Sequence, residues 1–153
     1  MDPVAGFDYI RDMTRRRLGE ILVDVGVLSD EQLRAALRLQ RTLRRPIGAL
    51  LIEQGLVGEV GLVQAIAMQL GLPVVDLDAT PLAPDALAKV GMELARKHDL
   101  VGFAMDGRNL SVALGDPTDT ALRDALQVQL GVALRVHVAS PSAIERALDR
   151  AYG

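Results

Sequence analysis

The sequence predicts an α+β fold: a helical N-terminal subdomain of two tandem helix-turn-helix units, then a small α/β subdomain with a short mixed sheet. Three observations predict it. A stretch near the N-terminus is repeated without a gap. After Gly71 the helical periodicity gives way to short apolar runs separated by turn residues. The available core is aliphatic, because half of the 153 residues are hydrophobic yet there are two Phe, two Tyr and no Trp. Small aliphatic side chains favour closely packed helices.

The repeat aligns Arg17–Gln40 with Pro46–Gln69. Gly19 meets Gly48, Leu22 meets Leu51, Gly26 meets Gly55, Leu33 meets Leu62, Ala36 meets Ala65 and Gln40 meets Gln69. "RTLRR", Arg41 to Arg45, joins the two units. In the first unit, residues 18, 21, 22 and 25 form an apolar helical stripe. Gly26 supplies the left-handed residue that ends this helix. Ser29 and Gln32 then have the spacing of a capping box, and Leu33, Ala36, Leu37 and Gln40 share one face of the next helix. In the second unit Pro46 is expected at the first helical position, where its missing N–H costs nothing. Gly58 and Gly61 stand where Ser29 and Gln32 stood, so the second cap is weaker.

The second half begins with "LPVVDLD", a short extended segment, and a loop containing Pro81 and Pro84. Helical turns are expected near Pro84–Lys89 and Met92–His98. "LVGFAMDGRNLSVALGD" reads as a hairpin around an Asp-Gly turn. Thr118 or Asp119 caps a helix over Thr120–Leu130, closed by Gly131. "ALRVHVAS" alternates as a strand, and Ser140 with Pro141 opens a final helix. The expected divisions are an N-terminal extension over 1–13, the tandem helical subdomain over 14–72 and the α+β subdomain over 73–153.

Several function classes are excluded or weakened. The formal net charge is −3, so no global field attracts nucleic acid or an acidic membrane. Arg and acidic residues balance over residues 1–70, which argues against a basic face for DNA or RNA polymers. Without cysteine there is no disulfide, thiolate metal site or Cys nucleophile. No apolar run spans a membrane, and "MDPVAGFDYI" lacks the pattern of a secretory signal. These readings agree with a cytoplasmic protein. There is no P-loop, no acidic cluster with metal spacing and no nucleophile elbow around any Ser. His137 is expected at a strand edge, and His98 at a helix end where a cation suits the dipole. The expectation is therefore a non-enzymatic chain without a metal.

The repeat suggests what could be bound. Gly near the start of a helix costs about 1 kcal/mol relative to Ala, yet Gly19 and Gly48 recur there. Close approach of a backbone or a flat ligand is one reason to keep them. Arg17 can fork onto guanine acceptors or phosphate. Leu33 and Leu37 offer an apolar wall, and Gln40 an amide. Two such units suit a ligand with two similar halves, such as a cyclic dinucleotide. The competing reading is an aliphatic bundle that binds nothing.

Arg17–Gln40 matches the pattern R-L-G-x-x-[LVI]-[LVI]-x-x-G-[LVI]-[LVI]-x-x-x-x-L-x-x-x-L-x-x-Q. Together with "QLGLPVVDLD" and "LARKHDLVGFAMDGRNLSVALGDPTD", this resembles the MshEN-type domain, the N-terminal domain of type II secretion and type IV pilus assembly ATPases. The resemblance runs over residues 14–153. It implies a cytoplasmic module that binds cyclic di-GMP, each motif holding one half. Carried over by position, Arg17, Leu18, Gly19, Leu33, Leu37 and Gln40 form the first half-site. Ile47, Gly48, Leu62, Ile66 and Gln69 form the second. Asp116 of "GDP" is the implied C-terminal contact, suited to accept from guanine N1–H and N2–H; locally it reads equally well as a turn cap. Pro46 stands where an Arg would open the second motif, so that half-site loses a donor unless Arg45 reaches around.

The resemblance also implies partners: a secretion or pilus ATPase motor domain, or an inner-membrane platform protein. The alternative to nucleotide sensing is a docking module that binds the platform protein's cytoplasmic part without nucleotide.

Overall fold

The computed structural model of the chain describes residues 18–153; Arg17 and the expected extension over 1–13 lie outside the described residues. Helix α1 spans Leu18–Asp24, α2 Asp30–Leu43, α3 Ile47–Glu53 and α4 Glu59–Leu70. These are the four helices expected of the repeat. Gly26 and Gly55 end the short helices with φ of 81° and 72°. The capping box forms as spaced: Gln32 N donates to Ser29 Oγ at 3.1 Å, and Ser29 N donates to Gln32 Oε1 at 3.0 Å. Gly58 caps α4 with no side-chain bond.

Pro46 corrects one expectation. Its ψ of 137° is not helical, so it is the N-cap of α3, one position earlier than expected. The stretch Arg44–Pro46 leaves the helical region too sharply for Pro46 to join α3: Arg44 is itself left-handed, with φ 53°.

The second half contains α5 (Pro84–Val90), α6 (Met92–His98), β1 (Leu100–Asp106), β2 (Asn109–Leu114), α7 (Thr120–Leu130), β3 (Ala133–Val138) and α8 (Pro141–Tyr152). The three strands form a mixed sheet in the order β1-β2-β3, with β1 antiparallel and β3 parallel to β2. Asp119, rather than Thr118, caps α7 by accepting from Leu122 N at 3.0 Å. Ser140 caps α8, with Pro141 in its first turn. "LPVVDLD" forms only one bridge, Val74 to Val138. The loop that follows is held instead by α8: Arg146 forks onto Asp78, at 3.1 and 2.8 Å, and lowers its carboxyl pKa chiefly through that bond.

Two apolar clusters fill the interior. One lies between the sheet and helices α5 and α8, and includes Leu77, Val101, Leu110 and Ile144. The other joins the repeats through Leu18, Leu22, Leu51, Leu62 and Ile66, and it takes in Val138 of β3. Leu72 packs against both. The repeats interlock crosswise, α1 on α4 and α2 on α3, while α3 meets α8 and α4 meets β3.

Gly102 shows how tightly α5 is laid on the sheet. A Cβ there would stand 2.8 Å from Val90 Cγ2 and 3.2 Å from the Ala86 carbonyl. The ladder is irregular at this place, between Gly102 and Ala104. Gly102→Ala is expected to destabilise the fold by about 1–3 kcal/mol, the range for inserting a methyl into a packed core. Urea unfolding of the variant beside the parent checks it.

Candidate functional site

The crosswise packing leaves two clefts on either side of Leu18. The first, about 530 Å³, is floored by Leu18 and Gly19 of α1 and walled by Leu33, Leu37 and Gln40 of α2. Ile47 of α3 and the β2–α7 loop, with Asp116, close it. The second, about 460 Å³, runs between α3 and the α+β half, with Pro46, Gly48 and Ala49 on one side and Lys97, Asp116 and Pro141 among the facing residues. Leu18, Asp116 and Asp119 line both clefts. Both volumes lie in the range of small-molecule sites. From the second cleft an open groove continues over Arg41, Arg44, Arg96 and Lys97.

Each side chain is set by its local structure. Gly19 lies against Leu33: a Cβ would fall 2.3 Å from Leu33 Cδ1. The glycine therefore lets the Leu33 side chain close down onto α1. Gly48 lets α3 approach α1 and α8, since a Cβ would be 3.3 Å from Leu18 Cδ2, 3.4 Å from Leu62 Cδ2 and 3.9 Å from Pro141 Cγ. Gln40 donates its amide to the Arg45 carbonyl at 3.0 Å, which braces the link between the units. Arg45, at the end of the linker, pairs through both terminal nitrogens with Glu53 of the second unit. Asp116 is exposed, and its Oδ1 accepts from Thr118 N at 3.1 Å and from the Thr118 hydroxyl. That is an Asx turn, and the same residue faces both clefts.

Of the residues singled out in the sequence, Leu18, Gly19, Leu33, Leu37, Gln40, Arg45, Pro46, Ile47, Gly48 and Asp116 line one or both clefts. Leu62 and Ile66 do not. Both are fully buried in the repeat core, and Leu62 supports Gly48 from below. Gln69 is exposed on α4 and lines neither cleft. Sequence reasoning missed Arg96, Lys97, His98 and Asp99, which line the second cleft. "RKHD" at a helix end carries no sign of what it faces across the fold. His137, by contrast, is where alternation put it, partly buried and edge-on to Phe103 at 5.0 Å.

Among the described residues, no group of three or more His, Cys, Asp or Glu is placed to hold a metal ion. No described helix is long and apolar enough to cross a membrane.

Residues 70–153 match the MshEN domain. The chain belongs to the MshEN domain family. The likeness extends beyond the matched segment. The type IV pilus assembly ATPase PilB of Myxococcus xanthus is 34% identical over 136 residues, 89% of this chain. The chain spans only 24% of that relative's length. A solved structure of MshE with cyclic di-GMP is 33% identical, with a TM-score of 0.67, over 90% of this chain and 99% of that one. The N-terminal domain of XpsE is 27% identical, with a TM-score of 0.64, over 92% of this chain and 96% of its own.

Asp99, an exposed residue in the lining of the second cleft, gives this MshEN domain a pH-dependent feature. Desolvation, and then the nearby Glu145 carboxylate, raise its pKa, against a smaller opposing effect of His98. A carboxyl whose pKa is raised in the folded state binds its proton more readily there than in the unfolded chain. It favours folding below the ordinary carboxylate range, and that benefit is lost as pH rises through the elevated value. Ionised Asp99 is thus a load at neutral pH. Asp99→Asn removes the charge and keeps a residue that tolerates the left-handed φ of 50°. It is expected to raise stability at neutral pH and to flatten the pH dependence just above the ordinary Asp range. Urea midpoints measured from acid to neutral pH check this.

Proposed function

We propose that this MshEN domain is a non-enzymatic, cytoplasmic nucleotide-binding module that takes cyclic di-GMP across the Leu18 partition, one guanine half on each side. In this reading Gly19, Leu33, Leu37 and Gln40 receive the first half, with Arg17 leading into it. Pro46, Ile47 and Gly48 receive the second, beside Arg45, whose guanidinium is held by Glu53, and with Leu62 and Ile66 as the packed base beneath. Asp116 reaches the ligand from the α+β half. The module then biases a secretion or pilus ATPase motor domain, or its membrane platform.

One observation carries the reading. Ten of the residues singled out in the sequence line two adjoining clefts of nucleotide size that share Leu18 and Asp116. The MshE structure with cyclic di-GMP, similar over nearly its whole length, supports the choice of ligand.

The ligand face of Asp116 makes a specific test. Guanine presents two donors, N1–H and N2–H, and a carboxylate accepts both. Asp116→Asn keeps an acceptor for the Thr118 turn but replaces the second acceptor with a donor. Affinity for cyclic di-GMP is expected to fall roughly tenfold or more, the scale of a lost charge-assisted bond, with the melting temperature of the free chain unchanged. Titration calorimetry measures it; equal affinity for parent and variant would remove Asp116 from the site.

A second reading, docking without nucleotide, is favoured by Val60 and Met68 of α4, which are 70% and 78% exposed. Saturating cyclic di-GMP separates the two. A ligand that binds only the folded state raises the melting temperature, and an unmoved transition leaves docking as the better account.

A further inference from the structure

The two units are not equal where they begin. The repeat sets Pro46 opposite Arg17. Pro46 has neither an N–H nor a polar side chain, so as N-cap it makes no side-chain cap bond. Its neighbour Arg45 does not replace the missing cation, because its guanidinium is paired with Glu53 of the second unit. An anionic ligand entering the second cleft also meets Asp99, Asp116, Asp119 and Glu145. Some cation must offset them.

We propose that Lys97, at the end of α6, supplies to the second half of the cyclic di-GMP site the positive charge that the repeat lacks at Pro46. This rests on the ligand reading above. Lys97 and Pro46 line both the second cleft and the groove beyond it. Arg96 is drawn away to Asp149, at 3.4 Å. Lys97 is exposed and, among the described residues, has no ion pair or hydrogen bond. Arg41 and Arg44 share the groove with Pro46 but do not line the second cleft, so among the described residues Lys97 is the unpaired Lys or Arg that lines both. The substitution of cation also changes the chemistry. Arginine forks onto a base edge, whereas an ammonium is a compact point charge that suits a phosphate oxygen. Lys97 thus holds the phosphate of the second half and does not read its base.

The test is calorimetry with cyclic di-GMP on the parent, Lys97→Ala, Lys97→Arg and Pro46→Arg, and on Pro46→Arg combined with Lys97→Ala. Lys97→Ala is expected to weaken binding roughly tenfold or more, with a shallower salt dependence and an unchanged melting temperature. Lys97→Arg should restore most of the affinity. With Arg at position 46, the loss on removing Lys97 should shrink, because the two cations serve one half of the ligand. If the parent binds and Lys97→Ala binds equally well, Lys97 has no part in the site and the ligand reading stands. If the loss is the same with and without Pro46→Arg, Lys97 does not stand in for the missing residue. If the parent does not bind cyclic di-GMP at all, the ligand reading falls and takes this one with it.

Discussion

Gly48 sits where three elements meet with little room to spare. Leu18 from α1, Leu62 from α4 and Pro141 from α8 all approach the place its Cβ would occupy. That closeness fixes the crossing of the two repeats and seats the α+β half on the second of them. It also fixes Leu18, which is 1% exposed and divides one cleft from the other. A residue that looks like a costly break in a helix thus lines the second cleft and lies against Leu18, which lines both.

The repeat is nearly symmetric in sequence, but its surroundings are not. The first unit keeps its glycine and leucines along an open cleft. The second unit carries the rest of the domain: Ser142 N donates to Glu59 at 3.3 Å, and Val138 completes the core around Leu62 and Ile66. Equivalent positions therefore have unequal burial. Leu37 is partly exposed, while its counterpart Ile66 is fully covered. Internal repetition identifies positions that pack alike within a unit. What arrives later in the chain to cover them is a separate matter.

This explains what was legible in the sequence. Helices and turns could be read because their signals are local: the Ser29–Gln32 box, the left-handed glycines and the Asp-Gly hairpin all act within a few residues. The small mixed sheet followed from alternation in "ALRVHVAS" and from the hairpin. Pro46 was displaced by one position because the geometry of its link depends on Arg44, a left-handed residue with no glycine to announce it. The first cleft was legible because its residues come mostly from one contiguous unit. The second was less so, since Lys97 and Asp99 reach it from an element far along the chain. Charge and spacing within "RKHD" say only that a helix ends there.

Val138 belongs to β3, yet it closes the core of the two repeats. During synthesis the four leading helices emerge well before it. Their contacts are short in sequence separation and form fast, whereas β3 must find β2 in parallel across an intervening helix, a slower step. Until that pairing is made, the seam beside Leu62 and Ile66 stays open to water. The repeats can assemble early, but they become watertight only when β3 has left the ribosome.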